Sequence, residues 1–220
     1  MLKTFEIEPT APQRGSVIWL HGLGASNHDF DPVIPELGAP ELRFVFPAAP
    51  IRPVTINGGA AMPAWYDILS FADPPLREHE PDVRESAREV EALIEREHER
   101  GVAYEDIVLA GFSQGGAMVL HVGTRFQQQL AGVLVLSGYL LLPDRLQAEQ
   151  SPANRATPIL MAHGRMDPVV PEFLAKKSQG LLTAAGHAVD YQLFHMGHSL
   201  CLEEVELIAR WLKTRLPART

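Results

Sequence analysis

The chain has 220 residues and a formal net charge of −8; 46% of its residues are hydrophobic and 21% are charged. These values are typical of one soluble domain with a full hydrophobic core, which we expect to span residues 1–220. The negative charge argues against a nucleic-acid partner, because phosphate binding requires a basic surface. The single cysteine, Cys201, excludes an intramolecular disulfide framework.

The sequence predicts no targeting or membrane segment. It begins MLKTFEIEPT, without the basic segment and apolar core of a secretory signal. Its most apolar stretch, residues 133–142, is well short of the roughly 18 residues that a membrane span needs. The simplest interpretation is a cytoplasmic protein without stable membrane insertion. Monomer and homodimer both remain open.

Short apolar runs alternate with segments of helical periodicity along the chain. Strands are predicted at residues 5–8, 16–20, 43–46, 106–110, 132–136, 158–162 and 189–194. Helices are predicted at residues 82–100, 114–126, 172–185 and 202–216. Strands that alternate with helices require parallel crossovers. The pattern therefore predicts a three-layer α/β domain, a mostly parallel sheet with helices on both faces.

Residues 47–81 interrupt this alternation. The segment is long and rich in Pro and Gly, and it contains Trp65, Tyr66, Leu69 and Phe71. Loops of this length are usually functional or disordered, and the aromatic residues argue against disorder. We therefore expect a folded loop that lines a site.

The sequence GFSQG places Ser113 between Gly111 and Gly115, after a predicted strand and before a predicted helix. In this context G-x-S-x-G forms a strained turn that presents the serine hydroxyl at the carboxyl edge of the sheet. The residues two positions away on either side must be small, as both glycines are. Ser113 is therefore the predicted nucleophile.

A nucleophilic serine needs a base, and the base needs a carboxylate that orients it, in the chain order Ser, Asp or Glu, His. We favour His198 as the base, because Gly197 suits a sharp turn that frees its side chain. The alternative is His195, which lies at a strand end where a side chain can point into packing.

The favoured acid is Asp167, just after the predicted strand at residues 158–162. Asp144, which follows the preceding strand, is the alternative. Asp190 begins a strand and is more typical of an exposed polar end. An acid between nucleophile and base in the chain fits Asp167 best.

Two backbone amides are expected to form an oxyanion hole. The amide of Gln114 follows the nucleophile and has the positive end of a helix behind it. The second amide should come from the loop after an early strand, in the sequence WLHGLGAS, and we assign it to Leu23. His21 in the same loop is expected to brace it by hydrogen bonding.

Taken together, the motifs resemble the phospholipase/carboxylesterase family of α/β-hydrolases, which includes acyl-protein thioesterases and small bacterial carboxylesterases. The matching segments are HGLGAS (21–26), RPVTINGG and PAWYD (within 52–67), GFSQGGAM (111–118), HGRMDPVVP (163–171) and MGHS (196–199). The resemblance implies an α/β-hydrolase fold, the triad Ser113, Asp167 and His198, and an oxyanion hole at Leu23 and Gln114. It also implies hydrolysis of carboxylic esters, acyl thioesters or lysophospholipids without a cofactor.

We accordingly predict a serine hydrolase that cleaves esters of short to medium acyl chains through an acyl-enzyme. An acyl thioesterase or lysophospholipase is the alternative, and a non-catalytic binding protein on the same scaffold is less favoured because all the expected pieces are present. The chain has no room for a large helical cap, so a true lipase is disfavoured. No metal is expected, since H-E-x-x-H is absent.

The acyl groove is predicted near the segment at residues 47–81, which leaves a strand next to the catalytic edge. We expect Trp65 and Leu69 to form one wall of this groove. Val169, just after Asp167, is expected to form part of the other wall.

Overall fold

The computed structural model describes residues 2–70 and 77–216. Its strands in chain order are β1 Thr4–Ile7, β2 Gly15–Leu20, β3 Leu42–Pro47, β4 Ile51–Val54, β5 Ala60–Pro63, β6 Ile68–Ser70, β7 Arg77–Glu78, β8 Ile107–Phe112, β9 Gly132–Leu136, β10 Ile159–Gly164 and β11 Val189–Phe194. Its α-helices are α1 Ile34–Leu37, α2 Glu80–Glu99, α3 Gln114–Gly123, α4 Leu146–Glu149, α5 Glu172–Ala184 and α6 Leu202–Arg215. None of the helices in this part of the chain combines the length and apolar character needed to cross a membrane.

Seven strands form the central sheet, in the order β1-β3-β2-β8-β9-β10-β11. Strand β1 pairs with β3 in antiparallel orientation, and every other pairing in this sheet is parallel. Strands β2, β8, β10 and β11 therefore all end at the same edge. The loops that follow them can bring distant residues together there.

Helices cover both faces of the sheet, as the alternation predicts. On β2, Ile18 and Leu20 belong to the core cluster that includes residues of α2, α3 and α5. Val17 and Trp19 belong to the cluster on the other face, with residues of α1 and α6. The opposite orientation of successive side chains on a strand explains this division. The three-layer arrangement is confirmed, and no large cap domain is present in the described ranges.

The seven predicted strands and four predicted helices are all found; β9 and β11 have the predicted bounds, and each of the others is shifted at one end or both. Strand β8 runs on to Phe112 because Gly111 and Phe112 still pair with β9. Helix α3 ends at Gly123, three residues before the predicted end. At this end the Thr124 side chain donates hydrogen bonds to the carbonyls of Leu120 and His121, and the amides of Arg125 and Phe126 both donate to the carbonyl of Val122.

Within residues 47–81, the described part has more regular structure than the sequence indicates. Strands β4 and β5 form one antiparallel hairpin, and β6 pairs with β7. The apolar residue Phe71, noted in this segment, lies outside the described residues. The segment between the two hairpins packs against the core, where Trp65 and Tyr66 are fully buried.

Candidate active site

Ser113 occupies a strained turn between the end of β8 and the start of α3. Its backbone has φ 56° and ψ −118°, a conformation that costs energy for a residue with a side chain. Its amide donates to the carbonyl of Leu136 at 2.7 Å, which fixes the turn to the end of β9. A Cβ on Gly111 would overlap the backbone of Gly115, and a Cβ on Gly115 would overlap the backbone that follows β2. The expected need for small residues on both sides is confirmed.

Three predicted site residues form a continuous chain of hydrogen bonds. The Nε2 atom of His198 lies 2.9 Å from Oγ of Ser113, and its Nδ1 atom lies 2.7 Å from Oδ2 of Asp167. With a hydrogen on Nδ1, the ring donates to the carboxylate and accepts from the hydroxyl. The residues come from three loops, after β8, β10 and β11. This is the geometry in which a serine is activated by a base and an orienting acid.

Both oxygens of the Asp167 carboxylate have hydrogen-bond partners. Its Oδ1 atom accepts hydrogen bonds from the amides of Val169 at 2.8 Å and Val170 at 2.9 Å, which leaves Oδ2 for the His198 ring. The amide of Met166 donates to the carbonyl of Met196 at 3.1 Å. The loop that carries the acid is therefore joined directly to the loop that carries the base.

The position of His198 depends on a close approach at Gly164. A Cβ on Gly164 would overlap the backbone carbonyls of Met196 and Gly197, so the end of β10 can touch the histidine loop only without a side chain. Gly197 is absent from the described glycines with positive φ, and a Cβ there would meet only ordinary contacts. Gly197 does lie in a bend, as predicted, but neither its φ nor its surroundings require a glycine. The ring of Phe112 lies 4.7 Å from the His198 ring and supports it.

The alternative residues lie elsewhere. His195 is exposed, so the expectation that it points into packing is wrong. Asp144 is exposed on a turn at Pro143–Arg145 and borders a separate cavity. Asp190 is an exposed strand end, as expected, and accepts a hydrogen bond from the Gln192 side chain.

Gln114 directly follows Ser113, and Leu23 borders the same cavity as Ser113; their role as an oxyanion hole stays a prediction. Gln114 is the first residue of α3, whose first-turn amides have no acceptor within the helix. Leu23 lies in the loop after β2 and borders the same cavity as Ser113. That loop is fixed because Gly24 donates to the carbonyl of Pro63 at 2.8 Å.

His21 braces this loop through both ring nitrogens. Its Nδ1 atom lies 2.7 Å from the carbonyl of Gly22, and its Nε2 atom accepts the amide of Ala49 at 3.1 Å. The two partners require the neutral ring with hydrogen on Nδ1. Burial lowers the pKa of His21, which favours the same neutral form. The predicted bracing hydrogen bonds are present.

Trp65 is part of this support and not of a groove. Its side chain is fully buried, and its indole N–H donates to the carbonyl of His21 at 2.8 Å. Its amide donates to Oε1 of Gln114 at 2.7 Å, and Nε2 of Gln114 donates to the carbonyl of Tyr66 at 2.7 Å. The expectation that Trp65 lines the groove is wrong, because a buried side chain cannot contact a ligand in an open cavity. The anchoring role of the Gln114 side chain was not foreseen.

A cavity of about 420 Å³ opens over Ser113 and His198. Val169, which is 50% exposed, borders it as expected. Leu69 is half-buried on β6 and is not among the described residues that border the cavity. Further apolar lining comes from the segment between β2 and α1, with Leu23, Phe30 and Val33.

Two other kinds of chemistry, metal binding and attack by a cysteine thiol, can be compared with the described residues. Within residues 2–70 and 77–216, no three or more His, Cys, Asp or Glu side chains are arranged to hold a metal ion. Cys201 lies three residues after His198 and is half-buried. Burial raises the pKa of its thiol, which disfavours the reactive thiolate.

Comparison with known proteins assigns a family. Residues 3–216 match the model of the phospholipase/carboxylesterase family. Acyl-protein thioesterase 1 of Neurospora crassa is 38% identical, over 96% of this chain and 91% of that protein. A probable carboxylesterase of Oryza sativa subsp. japonica is 36% identical, over 94% of this chain and 80% of that protein.

A solved structure of similar fold supports the same family assignment. The crystal structure of Zea mays acyl-protein thioesterase 2 superposes with a TM-score of 0.88 at 26% identity and covers 98% of this chain and 100% of that one. Since the match runs almost from end to end, the sheet with its helices is an α/β-hydrolase fold. The chain therefore belongs to the phospholipase/carboxylesterase family and is a serine hydrolase that acts on esters.

Proposed function

We propose that the protein hydrolyses carboxylic esters of short to medium acyl chains, with Ser113 as nucleophile, His198 as base and Asp167 as orienting acid. The observation that carries this proposal is the unbroken chain of hydrogen bonds from Asp167 through His198 to Ser113. It ends at a cavity large enough for a small acyl group. Neither the triad nor the cavity requires a cofactor.

Catalysis proceeds in two half-reactions. The Oγ atom of Ser113 attacks the acyl carbonyl while Nε2 of His198 takes its proton. His198 then gives this proton to the departing alcohol, and an acyl-enzyme remains on Ser113. Water repeats the cycle and releases the acid. Asp167 keeps the ring in the required tautomer and stabilises its charged form.

The amides of Leu23 and Gln114 bind the oxyanion of each tetrahedral intermediate. The helix dipole of α3 adds to this stabilisation, because Gln114 begins the helix. Preorganised donors cost no rearrangement during the reaction. Removal of one such donor typically lowers kcat by about 100- to 1,000-fold.

The size and openness of the cavity support short to medium acyl chains. No large cap covers the site in the described part of the chain, and the cavity is only about 420 Å³. A long acyl chain would extend past it into solvent, where further methylenes gain little burial. The apolar residues Leu23, Phe30 and Val169 would contact the first part of the chain.

Acyl thioesters and lysophospholipids are the second class of candidate substrate. Two of the similar proteins are named acyl-protein thioesterases, one of them 38% identical to this chain. The same acyl-enzyme chemistry accommodates a thiol leaving group, which needs less protonation by His198 than an alcohol does. S-acylated proteins and lysolipids therefore belong in the same substrate panel.

Three variants test the catalytic assignment. Ser113→Ala and His198→Ala should each lower kcat for p-nitrophenyl butyrate by about 10⁴-fold or more. His195→Ala is the matched control and should leave kcat unchanged, because its side chain is exposed outside the cavity. A fluorophosphonate should label Ser113 and no other residue by mass spectrometry. Label elsewhere, or a strong loss in His195→Ala with an active His198→Ala variant, would refute the triad.

A substrate panel tests the leaving group and acyl class. The kcat/KM values for p-nitrophenyl esters, acyl-CoA, an S-acylated peptide and a lysophospholipid would be compared at one acyl length. At that length we expect the p-nitrophenyl ester to react fastest. Preference for the S-acylated peptide by 100-fold or more would support the thioesterase alternative.

A further inference from the structure

The strongest unassigned group beside the candidate triad is the buried ring of His163. It lies on β10, one residue before Gly164, and is only 1% exposed. Its Nε2 atom is 2.8 Å from the carbonyl of Val170 and 3.7 Å from Oδ2 of Asp167. The ring therefore lies against the back of the loop that carries the acid, away from the substrate cavity.

His163 and Asp167 share one residue as a partner. The amide of Val170 donates to Oδ1 of Asp167, and the carbonyl of Val170 accepts from His163. A carbonyl can only accept, so the Nε2 atom of His163 must carry the hydrogen. The ring thus fixes the residue whose amide holds the carboxylate, and displacement of Val170 would release one of its donors.

The charge of His163 also matters to the acid. The Oδ2 atom of Asp167 is the same oxygen that accepts from His198. A charged His163 ring 3.7 Å from this oxygen would compete with His198 for it. Burial lowers the pKa of His163, which favours the neutral ring and weakens this competition. His198 and Glu172 are the other ionisable groups that act on it.

We infer that His163 is a positioning residue for the hydrolytic reaction: it holds Val170, and through it the carboxylate of Asp167, in the orientation that His198 requires. The inference rests on the proposed triad. It assigns His163 no contact with substrate. Its contribution lies in the geometry of the Asp167 loop, where a small displacement is expected to lower kcat and not substrate binding.

Variants at His163 separate positioning from packing. His163→Gln keeps a donor near the position of Nε2, His163→Asn has a donor too short to reach Val170, and His163→Leu has no donor. We expect the Asn and Leu variants to lower kcat for p-nitrophenyl acetate by about 10- to 100-fold, with KM within about twofold. His163→Gln should restore most of kcat. The acid limb of the kcat/KM profile should move to lower pH in the weak variants, because a displaced carboxylate supports the charged His198 ring less well.

His187→Leu is the matched control. His187 is also a buried histidine, 3% exposed, but it precedes β11 at the opposite edge of the sheet. Its replacement should change thermal stability and leave kcat and the pH profile unchanged. Circular dichroism and thermal unfolding would be measured for every variant, and if His163→Leu does not fold, the comparison of His163→Gln with His163→Asn carries the test.

Three results would overturn the inference: full kcat in the Asn and Leu variants, a loss in His163→Gln as large as in His163→Asn, or a loss of kcat shared by His187→Leu. Ser113→Ala separates this inference from the function on which it rests. If that variant retained activity, the triad itself would fail, and the role of His163 with it. If it is inactive while His163→Asn is fully active, only the positioning role fails.

Discussion

The side chain of Gln114 holds the backbone of Trp65, which lies 49 residues earlier in the chain, through a hydrogen bond of 2.7 Å. The same side chain donates to the carbonyl of Tyr66. Both bonds are buried. The residue directly after Ser113 therefore anchors the segment between the two hairpins through its carboxamide, while its backbone amide is the one proposed for the oxyanion hole.

Gln114→Ala should destabilise the fold while it keeps the backbone amide of residue 114. The change leaves a buried N–H on Trp65 and a buried C=O on Tyr66 without their partner. Each orphaned group costs about 1–3 kcal/mol, so the free energy of unfolding should fall by about 2–6 kcal/mol. Urea denaturation measures this change. The exposed Gln147→Ala variant should lie within about 0.5 kcal/mol of wild type, and equal effects in both would contradict the anchoring role.

Gly115→Ala should displace the loop after β2, which carries Leu23. The added Cβ would overlap the backbone carbonyls of Leu20 and His21, which cannot move without shifting the end of β2. We expect a loss of about 1–3 kcal/mol in the free energy of unfolding and a marked fall in kcat. Thermal unfolding and ester hydrolysis at low temperature would report the two effects.

Gly180→Ala is the control for that substitution. Gly180 lies within α5, and a Cβ there would meet nothing within 4 Å. Alanine in a helix interior should stabilise the protein by about 0.5–1 kcal/mol and leave kcat unchanged. A loss of activity in Gly180→Ala, or wild-type behaviour of Gly115→Ala, would contradict the steric explanation.

Much of the candidate site could be predicted because its constraints are local. The turn at Ser113 demands glycines two positions away, and those glycines stand in the sequence. The loop order then restricts the acid and base to residues that follow later strands. Asp167 and His198 satisfy that order, and the parallel sheet brings their loops to one edge.

The remaining features depend on partners that are distant in the chain. Trp65 looks the same in the sequence whether it lines a cavity or fills the core, because hydrophobicity alone does not separate these environments. Its burial is set by His21 and Gln114, which no local pattern connects to it. His163 likewise follows directly after the strand predicted at residues 158–162 with no local sign of a role, and only the folded loop places Val170 and Asp167 near its ring.

Glu204 should make the stability of the protein fall as pH rises. It is fully buried near the start of α6, and burial raises its pKa from 4.5 to about 8, with the backbone of Cys201 opposing the shift. A carboxyl with a raised folded-state pKa binds its proton more tightly in the folded than in the unfolded state. The free energy of unfolding therefore decreases between the unfolded value of 4.5 and the folded value of about 8.

Glu204→Gln removes this titration with little change of shape. Relative to wild type, the variant should gain stability progressively from about pH 5 to pH 8, by an amount on the order of a few kcal/mol at the upper end. Urea denaturation at several pH values gives the difference curve, which cancels other titrating groups such as Glu78, whose pKa is also raised. Glu203→Gln, an exposed neighbour on α6, should show no such curve. Parallel pH profiles for wild type and Glu204→Gln would contradict this explanation.

Val169→Ala should reduce the preference for longer acyl chains. Val169 borders the cavity over Ser113 and is half-exposed, so an acyl chain can bury surface against it. Each methylene that is fully buried contributes roughly 0.8 kcal/mol, and kcat/KM in wild type should rise with acyl length until the cavity ends. In the variant this rise should be smaller, while acetate esters should react almost as fast as in wild type.

Leu69→Ala is the comparison, because Leu69 does not border the described cavity. The ratio of octanoate to acetate kcat/KM in the Leu69→Ala variant should match that of wild type. A reduced ratio in Leu69→Ala with an unchanged ratio in Val169→Ala would mean that the acyl chain follows the wall predicted at Leu69 and not the wall at Val169.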